Sequence, residues 1–574
     1  MTWLGERRDV LGFDTETTGL DPNIDKLRLV QFGDLGTGWA IPWSQWGGVS
    51  LEAISKYRDK PMVGHNAKFD VRFLEFHGNI RMPRENIHDT RLMCHILNPA
   101  GSTALKSNAA RLVDPTAAYA SKQLDEVMSQ QHWTWATVPV DFQLYWCYGA
   151  LDTVLTAHLY DKLKPQIDQG YKDVYDLEQA VQWVLADMEA RGSRIDLEYT
   201  RDKSAQLAAY ADSIEDWCKT TYGFGPGQNT KVAQQLNALG ADLGRRTTTG
   251  AFKLDESVLE EVLGCEFEDA KTRTDFTEAQ ELAYRVLGRR KAEKIRSTYL
   301  DPFLDFVDAD GFVHPRMNQV GARTGRMSME RPALQTLPRG RVVRDCFIPR
   351  DGNGLLSADF DGIEMRCLAH YAQDPALIDA INSGDIHLAT ARQVYKDNTI
   401  EKKDIRRQIA KSVGFAKIYG AGPEKIAWTA GISLDDAKRF LAQYDVMFPG
   451  VKTFQNTVAQ VVKQRKQETG IASVHTPIGR LELAPDDRDY ALVNALIQGM
   501  AADVFKEALV RLDNSEAGQF LMLPVHDEII ADVPLELMDD VKVTIQRTMS
   551  DDRWAVPLTV GIDGPLERWG AKYH

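Results

Sequence analysis

Arg406–Gly420 reads RRQIAKSVGFAKIYG and sets Arg407, Lys411, Phe415 and Tyr419 four residues apart in succession. On an α-helix that spacing drifts by only about 40° per step, so the four side chains line one face over roughly 18 Å. Ile409, Ala410, Val413 and Ala416 fall elsewhere and are expected to pack inward. Basic groups come first and aromatic ones later, an order that suits a ligand with phosphates at one end and a flat base at the other. Taken alone, the spacing fits equally well an amphipathic helix with Arg and Lys stretched along its surface. No G-x-x-x-x-G-K-[ST] loop occurs elsewhere, so a triphosphate would have to be held by side chains of this kind.

Two acidic strands flank that helix in the sequence. Leu355–His370 reads LLSADFDGIEMRCLAH, and Phe520–Pro534 reads FLMLPVHDEIIADVP. Each sets an acid at the end of an apolar strand: Asp359 follows Leu355, Leu356 and Ala358, and Asp527 follows Leu521, Leu523 and Val525. Such acids are unfavourable unless paired or metal-bound. Strands from distant parts of the chain can bring one each to a shared pair of metals, where phosphoryl transfer needs mainly positioning and charge stabilisation. If the strand continues, Asp361 lies on the same face as Asp359, and spacing alone leaves the choice of ligand open.

A second acidic set opens the chain. In Val10–Glu16, period-two geometry puts Asp14 and Glu16 on one strand face. Two such acids repel unless a cation sits between them; seen alone, they read as a solvated pair before the Gly19 turn. The segment VGHNAKFDVRFL adds Asp70, with Asn66 one helical turn before it, and YGALD adds Tyr148 and Asp152 four apart on a helix face. Hard oxygen donors of this kind suit Mg²⁺ or Mn²⁺.

From about residue 8 to 165 these segments resemble the tyrosine-bearing subclass of the DEDD exonuclease superfamily. The resemblance implies that Asp14, Glu16, Asp70 and Asp152 bind two metals and that Tyr148 positions the attacking water. Two metals can ionise a water, align it and stabilise the leaving oxygen. The Arg406–Gly420 stretch resembles motif B of family A DNA polymerases, R-x-x-x-K-x-x-x-[FY]-x-x-x-Y-G, and the two acidic strands resemble that family's motifs A and C. By this resemblance Arg407 and Lys411 grip the incoming triphosphate, Phe415 packs on the nucleotide, Tyr419 sits near the template base and His387, in GDIHLAT, adds a phosphate contact. Asp359 and Asp527 hold the metals, Glu528 supports them, His526 lies by the primer end and Glu364 is the steric gate against a 2′-hydroxyl. Phe rather than Tyr at 415 implies poor use of dideoxynucleotides.

Further segments carry the same likeness. ARTGRMS supplies Arg326, PALQTLP supplies Gln335, and NALIQGMAAD supplies Asn494 and Gln498. In the family several of these touch the primer-template minor groove, where base pairs offer similar acceptors. RRKAEKIRSTY resembles the thumb, in which Arg290, Lys294 and Arg296 follow the duplex backbone. There are departures: Phe360, Asp361 and Gly362 replace the usual Tyr-Ser-Gln, and Tyr490 stands where Arg is common. The first removes the Gln that would otherwise make one DNA contact.

The implied architecture is α/β and multidomain: an RNase H-like exonuclease over 1–170, a helical linker and thumb over 171–310, palm over 311–375 and 491–574, and fingers over 376–490. Residues 196 to 300 read as an extended helical arm rather than a compact core. The expected function is template-directed primer extension by two-metal chemistry with 3′→5′ proofreading, using two Mg²⁺ (or Mn²⁺) per active site. Partners would be primer-template DNA, single-stranded 3′ ends and deoxynucleoside triphosphates. A monomer is expected, replisome partners are not legible, and the chain opens directly on the exonuclease without a 5′ nuclease segment, a compactness reminiscent of phage members.

Bulk properties bound the rest. At 574 residues several domains are expected. The charge of -14 argues against a simple nucleic-acid coat, although Arg285–Arg296 holds six basic residues against one acid and Lys396–Lys417 seven against three. Cys94, Cys147, Cys218, Cys265, Cys346 and Cys367 form no C-x-x-C pair, which argues against a zinc site and suits a reduced cytoplasm. Leu35–Leu51, the most apolar run, is broken by Gly, Pro and Trp, and the start shows no secretion signal. The rival readings are an exonuclease whose polymerase half only binds DNA, an RNA polymerase, and a single-strand binding protein. Intact Asp359, Lys411 and Asp527 oppose the first, Glu364 the second, and the acidic charge with no aromatic-basic platform the third.

Overall fold

The structure, a computed structural model, describes residues 3, 9–55, 60–244, 246, 250, 252–338, 340–418, 420–485 and 488–573. Two compact units emerge: Met1–Arg191 with Met317–Met329 and Leu356–Pro565, and Gly192–Arg316 with Glu330–Leu355 and Leu566–His574.

In the first unit a five-stranded sheet holds β1 (Leu11–Thr17), β2 (Leu27–Gly33), β3 (Gly38–Pro42), β4 (Met62–Gly64) and β5 (Ile87–Asp89) in the order β3-β2-β1-β4-β5. β1 runs antiparallel to β2 and parallel to β4. Leu11, Phe13, Val30, Phe32 and Met62 are buried, with Val71, Phe73 and Leu74 of the helix Ala67–Gly78 in the same core. The long helix Gln143–Gly170 crosses the sheet where glycines let two backbones meet. A Cβ on Gly12 would stand 2.4 Å from the Thr153 carbonyl oxygen, one on Gly33 2.2 Å from Thr153 Oγ1, and one on Gly38 2.3 Å from the Ala150 carbonyl oxygen. Glycine is therefore required for this contact, which carries Tyr148 and Asp152 onto β1.

A second sheet in the order β7-β8-β6-β9 is formed by β6 (Asn353–Phe360), β7 (Leu521–Val525), β8 (Glu528–Pro534) and β9 (Val560–Leu566). Its apolar residues Leu356, Ala358, Leu523 and Ile529 are buried, and the helix Leu492–Asp513 lays Phe505 against Phe360 with ring centroids 6.4 Å apart. Among the described residues between β6 and β7, the regular structure is helical apart from a short two-stranded hairpin, Ser473–His475 with Leu481–Leu483.

A buried charge network ties this helix to the helix Lys172–Arg191. Glu178 accepts from Lys506 Nζ at 2.5 Å and from Arg480 at 2.7 Å, while Arg480 Nε donates to Asp503 at 2.6 Å. Lys506 and Arg480 hold the Glu178 carboxyl at about 2 in spite of its burial. Glu482 lies beside this network, and burial first, then Asp503, pushes it up to about 9. Removing one member of such a set leaves an uncompensated charge, worth about 3–5 kcal/mol.

In the second unit, helices Leu197–Tyr222, Asn229–Ala238, Glu256–Leu263 and Glu278–Ile295 surround their own core, including Ile214, Val232, Leu236, Leu259, Leu282 and Val286. This corrects the expectation of an arm without a compact core over 196 to 300. Apolar residues three or four apart on each helix supply one buried stripe per helix, and four stripes suffice for a core.

Candidate active sites

At the first acidic set, Glu16, Asp70 and Asp152 are buried and Asp14 half-buried. Thr15, between the two β1 acids, donates to Asp70 at 2.6 Å and so ties the helix Ala67–Gly78 to the strand. Asn66 sits before that helix with φ 76°, and Asp89 accepts from the N–H groups of Asn66 and Ala67 at 3.0 and 2.9 Å. Burial pushes the Asp14 carboxyl up to about 7, and Glu16 and Asp70 are raised by burial and by the charge of Asp14. The Tyr148 hydroxyl is likewise raised, by burial and then by Glu16 and Asp14. The structure thus brings together Asp14, Glu16, Asp70, Tyr148 and Asp152.

Sequence reasoning did not single out Lys106, Gln31 or the packing glycines. Lys106, from the helix Leu105–Leu112, is ion-paired with Asp152. Gln31 pairs across from Asp14, is fully buried, and neither side-chain polar atom has a hydrogen-bond partner. No spacing rule points to them, because each reaches the centre only through the fold.

At the second set, β7 and β8 form a tight hairpin in which Val525 pairs with Glu528, leaving His526 and Asp527 as the two-residue turn. His526 has φ 58°, the positive φ that such turns need and that costs a non-glycine residue roughly 1–3 kcal/mol. Asp527 is therefore in the turn rather than at the strand's end. The turn abuts β6: Phe360 N–H donates to the Asp527 carbonyl oxygen at 3.2 Å, and the Ser357 hydroxyl donates to Glu528. Asp527 is raised by burial and by the nearby Glu364 and Glu528 carboxylates. Arg326 is ion-paired with Glu364.

Asp361 points elsewhere. Thr559 Oγ1 donates to its carboxylate at 2.6 Å, Asp361 N–H donates to the Thr559 carbonyl at 3.0 Å, and Arg366 holds the Asp361 carbonyl and the Thr559 hydroxyl. β6 ends at Phe360, so the face shared with Asp359 is lost at the next residue.

The helix Ile405–Ile418 presents Arg407, Lys411 and Phe415 on one side, with Ala410 and Val413 buried on the other. Arg407 Nε donates to Asp385 at 2.8 Å, and Asp385 caps the helix Ile386–Tyr395 through the Leu388 N–H at 3.0 Å. His387 lies with its ring 5.4 Å from that of Phe415, and burial and the Lys411 charge lower it to about 4. Tyr419 lies outside the described residues. Asn494 and Gln498 are half-buried one turn apart, and the Asn494 side-chain oxygen has no hydrogen-bond partner.

Within the second unit, Gln335 is half-buried and the basic run of the helix Glu278–Ile295 is largely neutralised. Arg290 donates to the Leu254 carbonyl and to Asn229, both at 2.8 Å, Arg289 pairs with Glu215 and Glu293, Lys291 pairs with Glu256, and Arg296 pairs with Asp301 at 3.3 Å. Lys294 is exposed. The count of six basic residues against one acid therefore overstates the field that this face offers.

The donors fit a hard divalent cation: buried carboxylates that raise one another need positive charge between them, of which Lys106, paired with Asp152 Oδ1, supplies a single unit. Among the described residues no three His, Cys, Asp or Glu side chains are placed to hold a metal ion by themselves. Substrate oxygens and water would have to complete the coordination, as is usual for Mg²⁺.

An acid-bearing strand bonded to an acid-bearing hairpin turn, a helix with basic and aromatic residues on one face, and a separate acidic sheet site define a nucleotidyl-transfer protein with a nuclease module. Residues 198–570 match the family described as DNA polymerase family A and residues 4–168 match 3′-5′ exonuclease, so the chain belongs to DNA polymerase family A and carries a 3′-5′ exonuclease domain. Similar proteins include a DNA polymerase of Mycobacterium phage D29, 29% identical over 99% of this chain and 94% of that one, and a DNA polymerase of Mycobacterium phage L5, 28% identical over 98% and 93%. DNA polymerase I of Lactococcus lactis strain IL1403 is 32% identical over 67% of this chain and 44% of that one. The fold matches the solved POL domain of Pol1 from M. smegmatis in complex with DNA primer-template and dNTP, with a TM-score of 0.80 at 24% identity, covering 100% of this chain and 98% of that one. Domains of both kinds generally use divalent metals. Among the described residues no helix is long and apolar enough to cross a membrane.

Proposed function

We propose that this chain binds primer-template DNA and a deoxynucleoside triphosphate, extends the primer 3′ end at Asp359 and Asp527, and trims single-stranded 3′ ends at Asp14, Glu16, Asp70, Tyr148 and Asp152. The observation that supports the reading is the bond from the Phe360 N–H to the Asp527 carbonyl oxygen, which joins β6 next to Asp359 to the β7–β8 turn. Two divalent ions at each site would supply charge neutralisation and a more acidic attacking group. The remaining work belongs to side chains. Arg407, Lys411 and His387 bind triphosphate oxygens, and Phe415 stacks against the nucleoside. Glu364, anchored by Arg326, crowds the sugar and favours deoxynucleotides. His526 and Gln335, with Asn494 and Gln498, contact the primer-template, and Lys294 contacts the duplex backbone. For Arg290 and Arg296 a backbone role requires release from their present partners. Glu528, held by Ser357, keeps the turn in register. In the exonuclease site the Tyr148 hydroxyl stays protonated and orients the attacking water.

The test is extension of a labelled primer with Mg²⁺ and deoxynucleotides. Template-directed products are expected from the intact chain, and trimming without extension would favour the nuclease whose polymerase half only binds DNA.

A further inference from the structure

Lys106 occupies a position in the exonuclease site that the proposed chemistry leaves unexplained. Its ammonium is paired with Asp152 Oδ1 and lies 4.7 Å from the centroid of the Tyr148 ring, so one cation bridges the two functional residues of the long helix. It also acts on the β1 acids, opposing the effect of burial on Asp14 and Glu16. The side chains of Lys106 and Asp152 are 18% and 8% exposed, so little water screens the pair. An ordinary structural salt bridge would neutralise one acid. This one sits on an oxygen of the acid set that a metal would also need, and an ammonium and a divalent ion cannot both take that lone pair without mutual repulsion at short range.

We propose that Lys106 sets the metal requirement of the exonuclease site by competing with the divalent ion for Asp152, so that the concentration of metal at which trimming begins is written into this side chain. The inference rests on the reading that the four amino-terminal acids bind metal. It gives the chain a way to make trimming more demanding of metal than it would be with a neutral residue at 106.

The test is a Mn²⁺ titration of the full-length chain without DNA, read by the electron paramagnetic resonance of free Mn²⁺. An Asp359→Ala/Asp527→Ala background removes the polymerase acids. Lys106→Met is expected to bind Mn²⁺ at the exonuclease site roughly tenfold more tightly than the parent. Lys106→Arg, which keeps the charge, is expected to bind as the parent does. Unchanged or weaker binding by Lys106→Met overturns the proposal, as does equal tightening by Lys106→Arg. Circular dichroism checks folding, and Lys106→Gln replaces the Met variant if that one unfolds. Asp70→Ala tests the underlying reading separately: it should abolish the site, and an unchanged titration there would refute metal binding by the acids whatever Lys106 does.

Discussion

The Phe360 N–H donates to the carbonyl oxygen of Asp527 at 3.2 Å, so the residue after Asp359 is clamped to the other acid's own backbone. The main chain beside the two acids is thus joined directly, without an intervening side chain. With Ser357 bonded to Glu528 on the same pair of strands, the β7–β8 turn cannot slide along β6 without breaking both bonds.

That clamp gives the first prediction. Asp359→Ala or Asp527→Ala should reduce primer extension by roughly a thousandfold or more, about 4 kcal/mol of barrier, and leave end-trimming in place. Asp14→Ala should do the reverse. Asp361→Ala removes only the bond to Thr559 and is expected to keep extension within about tenfold of wild type, as measured by single-nucleotide incorporation.

The contact between the long helix and the sheet gives the second. Gly12→Ala would press a methyl group onto the Thr153 carbonyl, backbone that has no rotamer with which to yield. We expect a loss of about 1–3 kcal/mol in the stability of the exonuclease part and a fall in trimming of at least about tenfold, since Asp152 follows the displaced helix. Thermal melting and a single-stranded trimming assay read both.

Sugar selection gives the third. Phe415→Tyr should raise incorporation of dideoxynucleotides relative to deoxynucleotides, and Glu364→Ala should raise that of ribonucleotides. Competitive incorporation ratios measure each. Efficient dideoxy use by the unaltered chain would contradict the reading of Phe415.

Glu482 gives the fourth. Its carboxyl is raised to about 9, so between about pH 4.5 and 9 the folded chain keeps a proton that the unfolded chain has released. The folded state then binds more protons, and stability falls as pH rises through that window. Glu482→Gln is neutral throughout. It should melt close to wild type at pH 5 and about 2–4 °C above it at pH 8.5, as followed by circular dichroism.

Much of the site was legible because its spacing is local. Arg407, Lys411 and Phe415 share a face since a helix repeats every few residues, and Tyr148 and Asp152 share one for the same reason. Asp14 and Glu16 follow from the strand period, and the apolar runs before Asp359 and Asp527 mark strands whose order alone cannot say that they meet.

By itself the sequence determined which short segments carry acids, bases and rings at helical or strand spacing, and through them the family. Only tertiary structure decided that Asp361 turns to Thr559, that Arg290 faces Leu254 and Asn229, that residues around Ile214 and Leu282 close a core, and that Lys106 enters the acid set. The reason is physical: periodicity is dictated by backbone geometry within a few residues, whereas these partners meet only after the chain has folded back on itself, when packing and charge select among neighbours that spacing never ranks.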